Sequence, residues 1–260
     1  MEIKMNKNLE FLKKINRRKF FRALLGVIAA SIASFLYAFQ KYFKQEAFNE
    51  ALINQVKPLE KPSSIGFMSV EEAIAKRRSI RDYSKAPLTF QELSQLLWAA
   101  QGVTDLKTGF RAAPSAGVTY PLEVYVVIGS EGVSGLEAGI YHYNPLTNEL
   151  KLIVKGDFRN DLALAALEQR WVKTAPVNIV LAAVYERTTR IYGDRGVRYV
   201  HMEAGHVGEN IYLQATALGL GTVAVGAFND ELVQKILNLP KEQKPLYIMP
   251  IGRKTLKALF

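Results

Sequence analysis

Between about Gly196 and Leu218 the chain carries Val200, Ala204, Val207, Ile211, Ala215 and Leu218 on one stripe at helical spacing. Gly205 and Gly208 keep a second side of the same helix small enough for close packing. A helix that is apolar on more than one side must be covered, either inside a domain or between two subunits. The rest of the chain therefore has to build layers around this element or supply a second copy to cover it. His201 and His206 lie on it five residues apart, so they do not share a face, and a metal pair would need a spacing of three or four. They read as core or interface histidines, as does His142, and no metal site is expected.

The segments around it alternate between strand and helix signals. Ser69-Val70-Glu71-Glu72 and Thr89-Phe90-Gln91-Glu92 are capping-box patterns. The first opens a helix to about Lys76 or Arg77, with Val70, Ala73 and Ile74 as its apolar face. The second opens a helix with Leu93, Leu96, Leu97 and Ala100 inward, closed by Gly102. Val124–Ile128 and Val177–Tyr185 read as buried strands, and Gly139–Tyr143 with Glu149–Val154 as a hairpin. Asp157 or Asn160 caps a helix running through Glu168. Thr222–Val225 reads as a strand entering a small-residue turn at Gly226-Ala227-Phe228. A helix capped by Asn229 or Asp230 follows, and Leu246–Met249 reads as a last strand.

The basic charge is unevenly placed. Of the formal net charge of +10, residues 1–62 supply +7, from 12 Lys/Arg against 5 Asp/Glu. The body is close to balanced and has no basic stripe interleaved with aromatics, so nucleic acid is not an expected partner. Lys4 through Arg22 form a basic flank, and Ala23–Phe39 is an uncharged apolar run, the layout of a signal or anchor. Asn16-Arg17-Arg18-Lys19-Phe20-Phe21 resembles a twin-arginine export signal. The expectation is a signal or membrane anchor over 1–39, a linker over 40–62 and a globular domain over 63–260. That places the protein in the cell envelope, membrane-anchored or periplasmic. With no cysteine in the chain, disulfides, iron–sulfur ligation and thiol chemistry are excluded.

Chemistry concentrates where the first body helix stops. Arg77, Arg78 and Arg81 stand with Ser79 in a span of five residues. Guanidinium forks match phosphate oxygens in pairs, so the cluster can hold a phosphomonoester, and Arg253 is a fourth candidate. The alternative is a basic helix end that complements the helix dipole. The loop Arg111-Ala112-Ala113-Pro114-Ser115-Ala116-Gly117-Val118-Thr119-Tyr120-Pro121 is rich in small residues and lets backbone approach something flat. Neither a Gly-x-Gly-x-x-Gly turn nor a Walker loop is present.

Taken in order over roughly residues 66–255, these pieces resemble the FMN-dependent nitroreductase family. Arg77-Arg78-Ser79-Ile80-Arg81 is similar to its phosphate entry motif, and Pro114 through Pro121 to its flavin loop. Leu218 through Phe228, Leu239-Pro240 and Pro250-Ile251-Gly252 are similar to its C-terminal signature. Tyr192-Gly193-Asp194-Arg195-Gly196-Val197-Arg198-Tyr199 and Glu203-Ala204-Gly205-His206 resemble its SagB-type and thiazoline-oxidising branch. The resemblance implies an α+β fold, a central mixed β-sheet flanked by helices, in a homodimer with flavin at the interface. It implies that Arg77, Arg78, Ser79, Arg81 and Arg253 hold the FMN phosphate and ribityl chain. Pro114, Ser115 and Ala116 would approach the flavin from the partner subunit. Backbone at Ala224, Gly226 and Ala227 would line the ring.

The chain departs from that branch at Ile191, where azoline-oxidising members have a lysine before the tyrosine, and at Val118, where ordinary nitroreductases often have asparagine. Tyrosine alone is a weak base at neutral pH, so azole formation is not the expected reaction. The expectation is hydride transfer through FMN between NAD(P)H or a reduced organic substrate and a small acceptor: a nitro compound, quinone or heterocycle. Tyr192 and Arg198 are the substrate-side candidates. The alternatives are a membrane-tethered flavin-carrying electron-transfer subunit and a non-catalytic binding protein.

Overall fold

The computed structural model of the chain describes residues 56–255. The signal or anchor expected over 1–39, and the linker up to residue 55, lie outside the described residues. Among the described residues no helix is long and apolar enough to cross a membrane. The described end of the expected linker is not free: Val56–Pro58 forms the first strand, β1.

The elements that follow are α1 (Val70–Lys76), α2 (Phe90–Gln101), a short ribbon of β2 (Val103–Asp105) and β3 (Phe110–Arg111), and β4 (Leu122–Ile128). Then come β5 (Gly139–Asn144), β6 (Glu149–Lys155), α3 (Arg159–Ala165), α4 (Arg170–Thr174) and β7 (Val177–Val184). The chain ends with α5 (Glu186–Tyr192), α6 (Arg195–Ala217), β8 (Leu220–Thr222), α7 (Asp230–Ile236) and β9 (Gln243–Arg253). One sheet of seven strands runs in the order β1-β6-β5-β4-β7-β9-β8. Its ladders are antiparallel; a parallel bridge from Ser79 to Thr222 adds the arginine segment to the β8 edge.

Period-two alternation divides the strands between two cores. Leu122, Val124, Val126 and Ile128 of β4 face α2 and α6, together with Val177, Ile179 and Leu181 of β7. Tyr125, Val127, Val180 and Ala182 face the other way, onto α3, α4 and α7. Strand β7 is apolar except for Asn178, which donates to Val172 O at 3.0 Å, because it is covered on both sides. The long helix is the one the sequence requires: Val200, Val207 and Ile211 are fully buried.

Several boundaries differ from the sequence reading. The helix expected through Glu168 ends at Ala165, because Leu167 and Glu168 take positive φ; at its start the N-cap is Phe158, without a side-chain bond, and not Asp157 or Asn160. Strand β8 stops at Thr222, and Val225 contributes only a bridge to Ile248. Both capping residues act as expected. Thr89 and Glu92 complete a reciprocal box, whereas Ser69 accepts from Glu72 N–H while the Glu72 carboxylate pairs with Lys76. Of the expected apolar face of α1 only Ala73 is buried; Val70 and Ile74 stand 65% and 58% exposed.

Candidate functional site

The arginine segment is sewn onto the sheet edge. Ile80 N–H donates to Thr222 O at 2.9 Å, and a Cβ at Gly221 would meet the Ile80 side chain at 2.7 Å, so only glycine fits there. The cluster then divides. Arg78 folds back on its own helix end, donating to Ala75 O and Arg77 O at 3.0 and 2.7 Å, which is the bland cap reading. Arg253 is paired with Glu92 at 3.0 Å, so the structure engages it with a carboxylate. Arg77 lies over the Tyr212 ring at 5.1 Å, with Glu209 only at 3.9 Å. Arg81 lies over Trp171 at 5.4 Å. Among the described residues no carboxylate pairs with Arg81.

A groove runs from this cluster along one flank of α6. The Tyr212 hydroxyl lies 3.0 Å from Ser79 Oγ and accepts the Ala224 N–H at 2.8 Å. One turn back, Gly208 is buried against Tyr247 and Met249, at 3.7 and 3.9 Å from an added Cβ, whereas Gly205 is exposed and faces open space. The side expected to pack closely does so at Gly208 and is open at Gly205. Tyr247 also stands 3.8 Å from a Cβ built on Gly226, so its ring is the floor between helix and loop. Gly226 and Ala227 are exposed. Their amides donate to nothing among the described residues, while Ala227 O accepts from Gln169. At the far end Tyr185 Oη and His201 Nε2 are 2.6 Å apart, rings edge to face. His201 and His206 are both exposed, not core residues. His142 is held by Glu123 at 2.7 Å.

The loop lies on the opposite flank of α6. Its geometry is tight: Gly117, Val118 and Tyr120 all have positive φ. Ser115 Oγ accepts the Tyr120 N–H at 2.9 Å, and Thr119 bonds Thr188 at 2.8 Å. Arg187 donates to Tyr120 O at 2.9 Å and pairs with Glu123. Arg111 stacks over the Tyr120 ring at 4.2 Å and donates to Gln101 at 3.1 Å. Behind it, Glu203 of α6 is 3% exposed. Burial raises its carboxyl above the usual range, against the Ser115 hydroxyl, the Gln101 amide and the Arg111 charge. Burial also acts on Glu123, but His142 and Arg187 outweigh it and hold that carboxyl below its ordinary value. Gln101, Arg111, Tyr120, Glu123, His142 and Arg187 line a cavity of about 430 Å³ behind the loop.

The predicted site residues thus fall into two groups. Arg77, Ser79, Arg81, Ala224, Gly226 and Ala227 share the groove flank. Pro114, Ser115 and Ala116 share the other with Tyr192, whose hydroxyl would be 2.8 Å from a Cβ on Gly117 and whose ring packs edge-on against Tyr199 at 5.1 Å. At 3.6 residues per turn, Tyr212 and Glu203 point about 180° apart, so the body of α6 separates the groups. Arg198 is exposed between them, with no carboxylate partner among the described residues. Tyr212, Tyr247, Glu203 and the Tyr185–His201 pair escaped the sequence reading. Tyr212 was within reach, because it continues the Gly205–Gly208 line at helical spacing.

Comparison with known proteins bears on the family and the fold. A protein of Methanocaldococcus jannaschii named as a nitroreductase is 52% identical over 187 residues, 72% of this chain and 92% of its own length. The microcin B17-processing protein McbC of Escherichia coli is 27% identical over 172 residues. This match spans 65% of this chain and 63% of McbC, in keeping with the SagB-like branch. The crystal structure of a nitroreductase from Ralstonia eutropha superposes with a TM-score of 0.68 at 28% identity, over 77% of this chain and 90% of that one. Residues 74–253 match the family profile itself, and the chain belongs to the nitroreductase family.

Proposed function

We propose that the protein is an FMN-dependent oxidoreductase that acts as a homodimer, passing hydride between NAD(P)H or a reduced organic substrate and a small organic acceptor. The observation that carries this reading is the pair of half-sites on opposite flanks of α6. The groove offers Arg77 and Arg81 at one end, an open stretch of helix at Gly205, and two amides without acceptors among the described residues beside Tyr247. Those features suit a phosphate and a flat ring, and FMN joins the two. The loop of the same chain cannot reach this groove past α6, so a second copy has to bring Pro114, Ser115 and Ala116 to it. Apolar residues at Ile65, Phe67, Val70 and Ile74 are exposed around a cleft of about 570 Å³ beside Trp98, the kind of surface a second copy covers.

The flavin supplies the two-electron chemistry when bound. The chain holds it by phosphate pairing at Arg77 and Arg81, with Ser79 and Tyr212 fixing the ribityl end. The loop excludes water, its conformation enforced by Arg187, Thr188 and Arg111. Tyr192, beside Gly117, orients the acceptor. Ile191 is exposed at the position where a lysine would complete a proton-abstracting pair, so oxidation of azolines does not belong to the proposal. The basic signal over 1–39 extends the proposal to the cell envelope, on sequence alone.

The visible spectrum and the mass of released flavin test it. The purified chain is expected to carry about one FMN per protomer. Changing Arg77 and Arg81 together to alanine is expected to lower FMN affinity at least 100-fold, two charge-assisted contacts being worth about 3 kcal/mol or more. A colourless parent that FMN does not restore would refute the flavoenzyme reading and leave a binding protein.

A further inference from the structure

The far end of the groove has no role in what precedes. His201 and Tyr212 are on the same flank of α6, three turns and about 16 Å apart along its axis. The loop from Ala224 to Asp230 runs beside that flank. It is fixed at one end by the Ala224 N–H to Tyr212, and at the other Asp230 is near enough to act on the Tyr185 phenol. Gly226 and Ala227 lie between these ends. A ring bound with its phosphate at Arg77 and Arg81 and laid along this flank would extend toward Tyr185 and His201.

We propose that His201, aimed by Tyr185, donates the proton that completes reduction of the acceptor. This rests on the flavoenzyme reading above. Three features of the pair fit the role. His201 is exposed, so its ring exchanges protons with water between turnovers. Tyr185 is half-buried at the junction of β7 and α5, and its bond to Nε2 holds the ring while leaving Nδ1 without a partner among the described residues. Burial, then Asp230, raises the Tyr185 phenol, so it remains a neutral positioning partner and does not compete as an acid. The charged groups around the pair are Arg198, one turn back on α6, and Asp230 on α7. Neither is bonded to the imidazole.

The step balances as follows. The acceptor takes two electrons and one hydrogen as hydride from the reduced flavin and becomes an anion. The His201 imidazolium gives Nδ1–H to that anion, forming the new O–H or N–H bond, and the neutral imidazole recovers a proton from solvent. An acceptor that takes electrons without a proton has no need of His201.

The experiment compares two acceptors with the full-length FMN-loaded protein, photoreduced so that no pyridine nucleotide enters. His201→Gln is expected to slow reoxidation by menadione about 100-fold and to leave reoxidation by ferricyanide unchanged. Tyr185→Phe keeps the imidazole and is expected to slow menadione less while displacing the pH profile of that step. An independent readout needs no turnover: carbethoxylation of His201, followed by peptide mass, is expected to be fast in the flavin-free chain and suppressed at least tenfold by FMN with 4-nitrobenzoate. Equal slowing with both acceptors, an unchanged menadione rate, or unprotected His201 would overturn the assignment while leaving the flavoenzyme intact. A chain that takes up no FMN would overturn the reading of the groove itself, and this proposal with it.

Discussion

At the scale of single residues, the most exposed motif was the easiest to read and the least uniform in use. Four arginines look alike in sequence, yet Arg78 serves its own helix end and Arg253 answers Glu92, leaving Arg77 and Arg81 uncommitted to a near carboxylate. Arg78's partners lie one and three residues away, but Trp171 and Glu92 lie 90 and 161 residues from Arg81 and Arg253, a separation that no local pattern carries. Glu203 is the reverse case, a carboxylate that enters the sequence reading only as part of a branch motif and is buried. Because burial raises its folded-state value, the folded chain keeps a proton that the unfolded chain has released. Its stabilising contribution is present in acid and lost as pH rises through the window between the unfolded and folded values. Glu203→Gln keeps the Gln101 contact and removes the charge. Urea titration is expected to show equal or greater stability than the parent at pH 7 and no gain at pH 4. A variant uniformly weaker at both would mean that Glu203 acts as a charged partner of Arg111.

Among elements, α6 governs both the fold and the site, and its two glycines separate those duties. In an ordinary helix each weakens the element by about 0.5–1 kcal/mol relative to alanine. Nothing within 4 Å of Gly205 demands that concession. Thermal unfolding of Gly205→Ala is therefore expected to show a gain of about that size. Gly205→Leu is expected to unfold within a few degrees of the parent, an added Cβ there meeting nothing within 4 Å, but to lose FMN because leucine fills the groove. Failure of that variant to fold would show the glycine to be packing and not a cradle. The long helix, the hairpin and the caps were legible because each rests on local periodicity or short-range hydrogen bonds. The end of β8 was not: after Thr222 the strand loses its neighbour in β9, and only the Tyr212 hydroxyl, ten residues earlier, takes up the Ala224 amide. The small helix α5 was missed for a related reason, since its short run contributes Thr188 alone as a buried residue.

For the whole molecule, two bare regions belong to one account. The exposed face of α1 and the segment before it leave large apolar side chains in water, and the loop is on the wrong side of α6 for its own groove. The proposed homodimer would answer both. Val70→Glu with Ile74→Glu is expected to give monomers by sedimentation and, in the same protein, a loss of FMN of at least tenfold. Monomers that retain FMN at parental affinity would show the groove to be complete in one chain. That the family could be read from the sequence while the division of labour could not is a matter of range. Motifs mark which residues serve, and only the position of a helix between them decides which copy each one serves.

The division across α6 also has a genetic reading. If each site draws its arginines from one copy and its loop from the other, two separately dead alleles can repair each other. A chain lacking Arg77 and Arg81 still offers a sound loop, and a chain with Ser115 and Ala116 made bulky still offers sound arginines. Mixed dimers of the two then contain one intact site and one doubly broken one. Random pairing in equal amounts should restore about a quarter of the parent's flavin sites, from two parents that have none. Co-expression with two tags would count them.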